Sequence, residues 1–176
     1  AAAGGVGLIG CQWAKNLGAT VIGTVGSEEK VTIAMEYGCD HVINYSNENI
    51  SERVKEITNG EYCDAVIDGV GKFTWIESLK SVKPYGICIS FGLASGQLPS
   101  FGFDQMPSES FITRATVGSV VNDKKSFRIN SERYFSAIDN KVINPRIDSI
   151  IPLKDAYKAH EILEGRKNIG SIVLVP

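Results

Sequence analysis

A repeat of about 20 residues constrains the fold more than any other feature of this 176-residue sequence. Between residues 5 and 92, an amphipathic helix, a glycine and a short β-branched run follow one another several times. The predicted strands, TVIGTV, DHVINY, CDAVIDGV and ICISFG, are nearly all apolar, as is typical of parallel strands covered by helices on both faces. The repeat therefore predicts an α/β fold with a doubly wound parallel sheet, in which ligands bind at the carboxyl ends of the strands.

Glycines mark the predicted ends of the helices. The apolar stripe of the first helix consists of Val6, Ile9, Trp13, Ala14 and Leu17. Further helices are predicted for residues 28–37, near 50–57 and near 73–82. Left-handed C-caps are expected at the glycines that follow the first three helices, namely Gly18, Gly38 and Gly60.

The repeat ends after Gly92. Residues 93–112 are rich in Gly, Ser, Pro and Phe and are predicted to form a loop, and ATVGSVV is predicted to be a strand. The remaining elements are predicted as a helix over 126–140, an extended segment NPRIDSIIP, a helix over 153–163 capped by Gly165, and a final strand SIVLV.

Composition argues against several classes of partner. Eighteen basic and twenty acidic residues give a net charge of −2 with no run of like charges, so no nucleic-acid or anionic-membrane partner is expected. No apolar stretch approaches the roughly 18 residues of a membrane span. The four cysteines, Cys11, Cys39, Cys63 and Cys88, are far apart in apolar stretches and are predicted to be reduced, buried thiols without a metal, as in a cytoplasmic protein.

The glycine-rich turn AAAGGVG at residues 1–7 opens the first helix and resembles the G-x-G-x-x-G dinucleotide motif. Ala2 replaces the first glycine, whereas Gly4 and Gly7 occupy the second and third positions. Gly4 would let the backbone approach a pyrophosphate, and Gly7 would let the helix pack closely on the sheet. A tight turn without a ligand is the alternative. Because such a turn normally follows a buried strand, we expect a strand upstream of Ala1 and infer that the chain is a fragment.

The second strand favours NADP over NAD. An NAD enzyme usually places an acidic residue there for the ribose 2′-hydroxyl, but this sequence reads Thr24, Val25, Gly26, Ser27. Lys30 lies in the first turn of the next helix, where the dipole disfavours a cation unless an anion is near. Ser27 is predicted to cap that helix, and Tyr45 could add a hydroxyl. A solvated surface pair is the alternative for Lys30 and Tyr45.

Two other predicted strand ends contain glycines. DGVG at residues 68–71 and SFGLASG at residues 90–96 would border the ribose and nicotinamide in such a sheet, or could be simple turns. His41 and His160 have no partner at the spacing of a metal site or a catalytic triad and are interpreted as structural.

Taken together, these motifs and the closing PLKDAYKAHEILEGRKNIGSIVLVP closely resemble the NADPH:quinone oxidoreductases, the zeta-crystallin-like, zinc-independent branch of the medium-chain dehydrogenase/reductase superfamily. The resemblance covers essentially the whole chain and implies a Rossmann domain, here residues 1–122, beside a GroES-like catalytic domain. Residues 123–176 would return to that domain, whose other part is absent from the sequence.

The resemblance also implies site residues. NADPH would be held by Gly4, Gly5, Val6 and Gly7 at the pyrophosphate, by Gly26, Ser27, Lys30 and Tyr45 near the 2′-phosphate, by Phe91, Gly92 and Ser95 at the nicotinamide, and by Arg166. No catalytic side chain or metal ligand is assigned. The implied activity is reduction of a quinone or conjugated carbonyl by a homodimer, with the fragment alone expected to be inactive. An enoyl or alkenal reductase of the same superfamily, or a non-catalytic nucleotide-binding protein with a crystallin-like or RNA-associated role, remains an alternative.

Overall fold

Helices and parallel strands alternate along the chain, as the repeat predicts. The structure is a computed structural model that describes residues 1–107 and 109–176. Two units can be distinguished within it, one formed by Ala1–Asn44 with Arg133–Pro176 and the other by Tyr45–Glu132. The predicted domain boundary between residues 122 and 123 is a separate expectation and stays a prediction.

The first unit contains the beginning and the end of the chain. Its complete elements are α1 (Gly5–Asn16), β1 (Ile22–Val25), α2 (Glu29–Glu36), β2 (His41–Asn44), β6 (Ile147–Pro152), α7 (Ala156–Glu164) and β7 (Ser171–Val175). β1 pairs with β2, and β6 pairs with β7, in both cases in parallel. The core of this unit consists of Ala2, Ala3, Leu8, Val25, Ala34, Cys39 and Ile169.

The second unit contains the middle of the chain. Its complete elements are α3 (Ile50–Ile57), β3 (Cys63–Asp68), α4 (Trp75–Lys80), β4 (Val82–Ser90), β5 (Phe111–Arg114) and α5 (Val117–Val121); α6 (Lys124–Asp139) begins in this unit and ends in the first. β3, β4 and β5 form a parallel three-stranded sheet in that order. Its core is formed by Trp75, Leu79, Val82 and Cys88. Parallel pairing in both units agrees with the predicted α/β class.

The residues before α1 form backbone hydrogen bonds with β1 and with the residue that precedes β7. The N–H of Ala2 donates to Thr24 O at 2.8 Å, and the N–H of Gly170 donates to Ala3 O at 3.0 Å. Gly4 also forms a parallel bridge with Gly170. Because Thr24 lies two residues before Gly26, these bonds place the start of α1 near the end of β1 that leads into α2.

The three predicted helix-terminating glycines adopt the left-handed conformation. Gly18, Gly38 and Gly60 have φ angles of 86°, 102° and 88°. At the end of α7, Gly165 has a φ angle of −71°, and Arg166 takes the positive φ, 53°. The prediction was therefore correct for the first three helices, whereas the left-handed residue after α7 lies one position later.

The predicted apolar stripe of α1 is not the face that packs on the core. Val6 is 66% exposed and Leu17 is 76% exposed, whereas Leu8 is fully buried. Cys11, one turn after Leu8, packs against the same core cluster. Ile9, Trp13 and Ala14 of the predicted stripe are half-buried.

ATVGSVV was predicted to be a strand, and this prediction is wrong. The strand β5 lies just before it, in register with β4 from Ile87 paired with Phe111 to Ser90 paired with Arg114. The ladder ends when the N–H of Ala115 donates to Ser90 O, and α5 then begins at Val117. Because β4 ends at Ser90, the β-branched residues after Ala115 have no further residue of β4 with which to pair.

None of the described helices has the length and apolar character needed to cross a membrane.

Candidate functional site

The beginning of α1 presents unbonded backbone donors. Its N-cap, Gly4, has an extended backbone and supplies no capping side chain. Within residues 1–107 and 109–176, the N–H groups of Val6 and Gly7 make no hydrogen bond, and the first intrahelical bond is Leu8 N–H to Gly4 O at 2.9 Å. Unbonded amides add to the positive end of the helix dipole. This turn can therefore bind an anion such as a phosphate.

The glycines of this turn have different roles. A Cβ on Gly7 would collide with Ala1 O and lie 2.8 Å from Ala2 O, so Gly7 allows α1 to pack on the preceding backbone. A Cβ on Gly5 would collide with the Ser171 hydroxyl. A Cβ on Gly4 would lie 3.6 Å from Ala1 O, an ordinary contact. The chain itself thus requires glycine at position 7, whereas a side chain at position 5 would need the Ser171 hydroxyl to rotate and position 4 is open.

Lys30 and Arg166 lie together although 136 residues separate them. The ammonium group of Lys30, in the first turn of α2, donates a 2.7 Å hydrogen bond to Arg166 O. Burial lowers the pKa of Lys30, and the neighbouring Arg166 charge also lowers it, whereas Glu29 and Asp148 act in the opposite direction. The structure therefore brings two of the predicted cofactor residues into one cationic corner, where an added anion would relieve the repulsion between them.

Gly26 and Ser27 connect β1 to α2 in the same unit. The predicted cap by Ser27 is not formed, because α2 begins at Glu29 and its N-cap is Glu28 without a capping side-chain bond. Instead, the Ser27 carbonyl accepts the N–H of Lys30 at 3.2 Å. The Ser27 hydroxyl makes no hydrogen bond within the described part of the chain. It is therefore available to a ligand.

Tyr45 belongs to the second unit as the structure divides the chain. It follows Asn44, the last residue of β2, which is in register with Val25 at the end of β1. Its side chain is half-buried. The predicted role of Tyr45 stays a prediction.

The two glycine-bearing loops of the second unit are joined to each other. The N–H of Phe91 donates to Asp68 O at 2.8 Å, and the N–H of Ser95 donates to Val70 O at 2.7 Å. Gly69 and Gly92 make this approach possible, because a Cβ on Gly92 would lie 2.7 Å from Gly69 O. Phe91, Gly92 and Ser95 therefore belong to one platform at the ends of β3 and β4.

The Ser95 side chain holds this platform together. Its hydroxyl donates to Val70 O at 2.8 Å and accepts the N–H of Phe73 at 3.1 Å. Ser95→Ala should lower the free energy of unfolding by about 1–2 kcal/mol, since two hydrogen bonds are lost and the Phe73 amide must find water. Urea unfolding would measure the change, with the exposed Ser100→Ala as control. Equal stability of the two variants would contradict the assigned role.

Asp68 is the residue that sequence reasoning missed. Its carboxylate is buried and accepts hydrogen bonds from four groups, which are the N–H of Val70 at 2.8 Å, the N–H of Gly71 at 3.0 Å, Thr74 Oγ1 at 2.8 Å and Ser78 Oγ at 2.7 Å. These bonds fix the start of the DGVG loop to α4. An acidic residue that ends an apolar strand was the available signal, since such a carboxylate is buried only when it is fully bonded.

Metal-binding side chains do not cluster in the described part of the chain. Over residues 1–107 and 109–176 there is no group of three or more His, Cys, Asp or Glu side chains arranged to hold an ion. His41 and His160 are both exposed. All four cysteines are free thiols, and burial raises the pKa of Cys63 and, to about 12, that of Cys88.

Comparison with known proteins gives consistent matches. The family model described as zinc-binding dehydrogenase matches residues 5–137. A quinone oxidoreductase of Pseudomonas aeruginosa is 42% identical over 178 residues, and a 2-haloacrylate reductase of Burkholderia is 40% identical over 179. These matches cover 100% of this chain but only 55% and 54% of the relatives, so the chain spans about half of their length.

Comparison with solved structures gives the same result. The structure of Escherichia coli quinone oxidoreductase complexed with NADPH matches with a TM-score of 0.93 and 41% identity. That match covers 100% of this chain and 55% of the other. The predicted α/β fold of the Rossmann type is therefore confirmed.

Proposed function

The chain belongs to the zinc-binding dehydrogenase family, within which it is homologous to quinone oxidoreductases, and from this premise we propose that it binds NADPH and serves the NADPH-dependent reduction of a quinone. One observation carries the proposal. The amides of Val6 and Gly7 are unbonded at the start of a helix whose N-cap has no side chain to cover them. An anion-binding turn of this kind is suited to a dinucleotide diphosphate.

Three groups of residues are assigned to the three parts of NADPH. In the proposal, Gly4, Gly5, Val6 and Gly7 hold the diphosphate through their backbone. Gly26, Ser27, Lys30, Tyr45 and Arg166 form the side that receives the 2′-phosphate. Phe91, Gly92 and Ser95 shape the side that receives the nicotinamide. When bound, the nicotinamide supplies the reducing equivalents, and the residues named here bind and orient it.

The preference for NADPH rests on the cationic corner. Lys30 is partly buried beside Arg166, and the loop from Gly26 carries no carboxylate before Glu28. Asn44 Nδ2 donates to the Glu28 carboxylate at 3.2 Å, which engages one oxygen of the nearest acidic group. A 2′-phosphate would gain charge-assisted hydrogen bonds there, whereas a ribose hydroxyl would not.

Titration with both dinucleotides tests this proposal. We expect NADPH to bind more tightly than NADH, and Lys30→Ala to reduce the difference by about 10- to 100-fold, since a hydrogen bond to a charged group contributes roughly 1.5–3 kcal/mol. Fluorescence or calorimetric titration would give the dissociation constants. Lys154→Ala, which removes an exposed lysine of the same unit, should leave the ratio unchanged. Equal affinities of the unmodified chain for NADPH and NADH would refute the assignment.

A conjugated carbonyl compound is the second candidate acceptor. The relative named 2-haloacrylate reductase is almost as similar as the quinone oxidoreductases. A panel of quinones, enones and acrylates, assayed with the full-length enzyme, would separate the two classes. The homodimer, the cytoplasmic location and the lack of a nucleic-acid partner stay predictions from the sequence and the resemblance.

A further inference from the structure

Two cysteines meet in the core of the first unit. Cys11 in α1 and Cys39 just after α2 are 28 residues apart in sequence, yet their Sγ atoms are 3.4 Å apart. A disulfide requires about 2.0 Å, so the sulfurs need to approach by only about 1.4 Å. The sequence suggested unrelated buried thiols, and their proximity follows from the packing of α1 on the end of α2.

The backbone around this pair is already in close contact. Gly38 adopts a left-handed conformation, and a Cβ there would lie 3.1 Å from Cys11 O. Gly23 makes room for Cys39, because a Cβ at Gly23 would lie 2.5 Å from Cys39 Sγ. The two segments that carry the cysteines are therefore already packed closely together.

The two thiols differ in exposure and in acidity. Cys11 is half-buried, whereas Cys39 is only 5% exposed. The Cys39 thiol donates a hydrogen bond to Cys11 Sγ, which lowers the pKa of Cys11 and raises that of Cys39. A thiolate that is accessible and stabilised by a neighbouring thiol is the usual attacking group in thiol–disulfide exchange. Cys11 is therefore the attacking sulfur and Cys39 the resolving one.

We propose that Cys11 and Cys39 form a redox-active dithiol that a small oxidised disulfide, such as glutathione disulfide, converts to an intramolecular disulfide. The Cys11 thiolate attacks one sulfur of the oxidant, breaks its S–S bond and releases a glutathione thiolate. The Cys39 sulfur then attacks Cys11 Sγ, gives up its proton and releases the second glutathione. Both cysteines are oxidised, and one glutathione disulfide is reduced to two thiols that carry the two protons.

The disulfide would join the two helices of the candidate dinucleotide site. Cys11 lies on α1, whose first turn presents the unbonded amides, and Cys39 follows α2, whose first turn carries Lys30. A covalent link between them closes a loop of 28 residues and restricts the unfolded chain. Oxidation is expected to raise the Tm by roughly 5–15 °C. The dithiol does not depend on the proposed cofactor, so its test is independent of NADPH binding.

Peptide mapping of the intact chain tests the proposal. The protein is equilibrated in glutathione buffers of increasing oxidised fraction, the remaining thiols are blocked with N-ethylmaleimide in denaturant at acidic pH, and the tryptic peptides are identified by mass. Trypsin separates the pair, because Lys15 and Lys30 lie between the cysteines. We expect one cross-link, between the Cys11 and Cys39 peptides, with the loss of two hydrogen atoms. Cys63 and Cys88 should remain fully blocked.

Variants distinguish the proposal from accidental proximity. Cys11→Ser should abolish both the cross-link and the rise in Tm, whereas Cys63→Ser, which removes another half-buried thiol, should leave them unchanged. Cys39→Ala should shift the pH midpoint of Cys11 alkylation upward, since the stabilising hydrogen bond is lost. Persistent alkylation of Cys11 in fully oxidised buffer, or a stable glutathione adduct without a cross-link, would overturn the proposal.

Discussion

Replacing Asp68 by alanine is expected to lower the free energy of unfolding by about 3–5 kcal/mol. The buried carboxylate accepts two backbone N–H groups and the hydroxyls of Thr74 and Ser78. Alanine leaves all four donors without their partner in a site largely closed to water. Chemical denaturation followed by circular dichroism would measure the loss.

Two matched variants sharpen the test of Asp68. Asp68→Asn keeps one acceptor oxygen for the amides of Val70 and Gly71, and its NH2 group can donate to a hydroxyl, so a smaller loss is expected. Asp64→Ala removes a highly exposed carboxylate of the same strand, paired with Lys83, and should have little effect. A similar loss for Asp64→Ala and Asp68→Ala would show that the hydrogen-bonded network does not determine stability.

Gly7→Ala is expected to weaken both the fold and dinucleotide binding. The new methyl group would collide with Ala1 O and Ala2 O, and these backbone atoms can move only if α1 is displaced. Overpacking of this kind costs about 1–3 kcal/mol. Displacement of the amides should weaken NADPH binding by about 100-fold, the equivalent of one lost hydrogen bond to a charged group. Denaturation and titration with NADPH would measure the two effects.

The same helix supplies controls for Gly7→Ala. Gly10 lies inside α1 with open space around its Cβ position, so Gly10→Ala should stabilise the chain by roughly 0.5–1 kcal/mol and leave NADPH affinity unchanged. Gly4→Ala fits the chain at 3.6 Å from Ala1 O, and should weaken NADPH binding without a large loss of stability. Undiminished affinity in both Gly4→Ala and Gly7→Ala would exclude the turn as a diphosphate site.

Sequence reasoning predicted the glycine turn and the α/β class, but it did not find the groups that support the site. Gly4 and Gly7 were recognisable because a motif specifies close backbone approach at fixed spacing. The bonding of Ser95 to Val70 and Phe73 was not recognisable, because it depends on the loops after β3 and β4 lying side by side. Those loops meet because the two strands are neighbours, which no local pattern encodes.

The sequence by itself determined the local features of this protein. The order of helices and strands up to β4, the left-handed glycines Gly18, Gly38 and Gly60, and the glycine turn before α1 follow from periodicity and backbone sterics over a few residues. Only the tertiary structure decided the contacts between distant residues, such as Lys30 with Arg166 and Cys11 with Cys39. It also decided that Val117–Val121, within ATVGSVV, forms a helix after β5. The reason is physical, since local propensities are weak and strand register and helix packing determine which distant side chains meet.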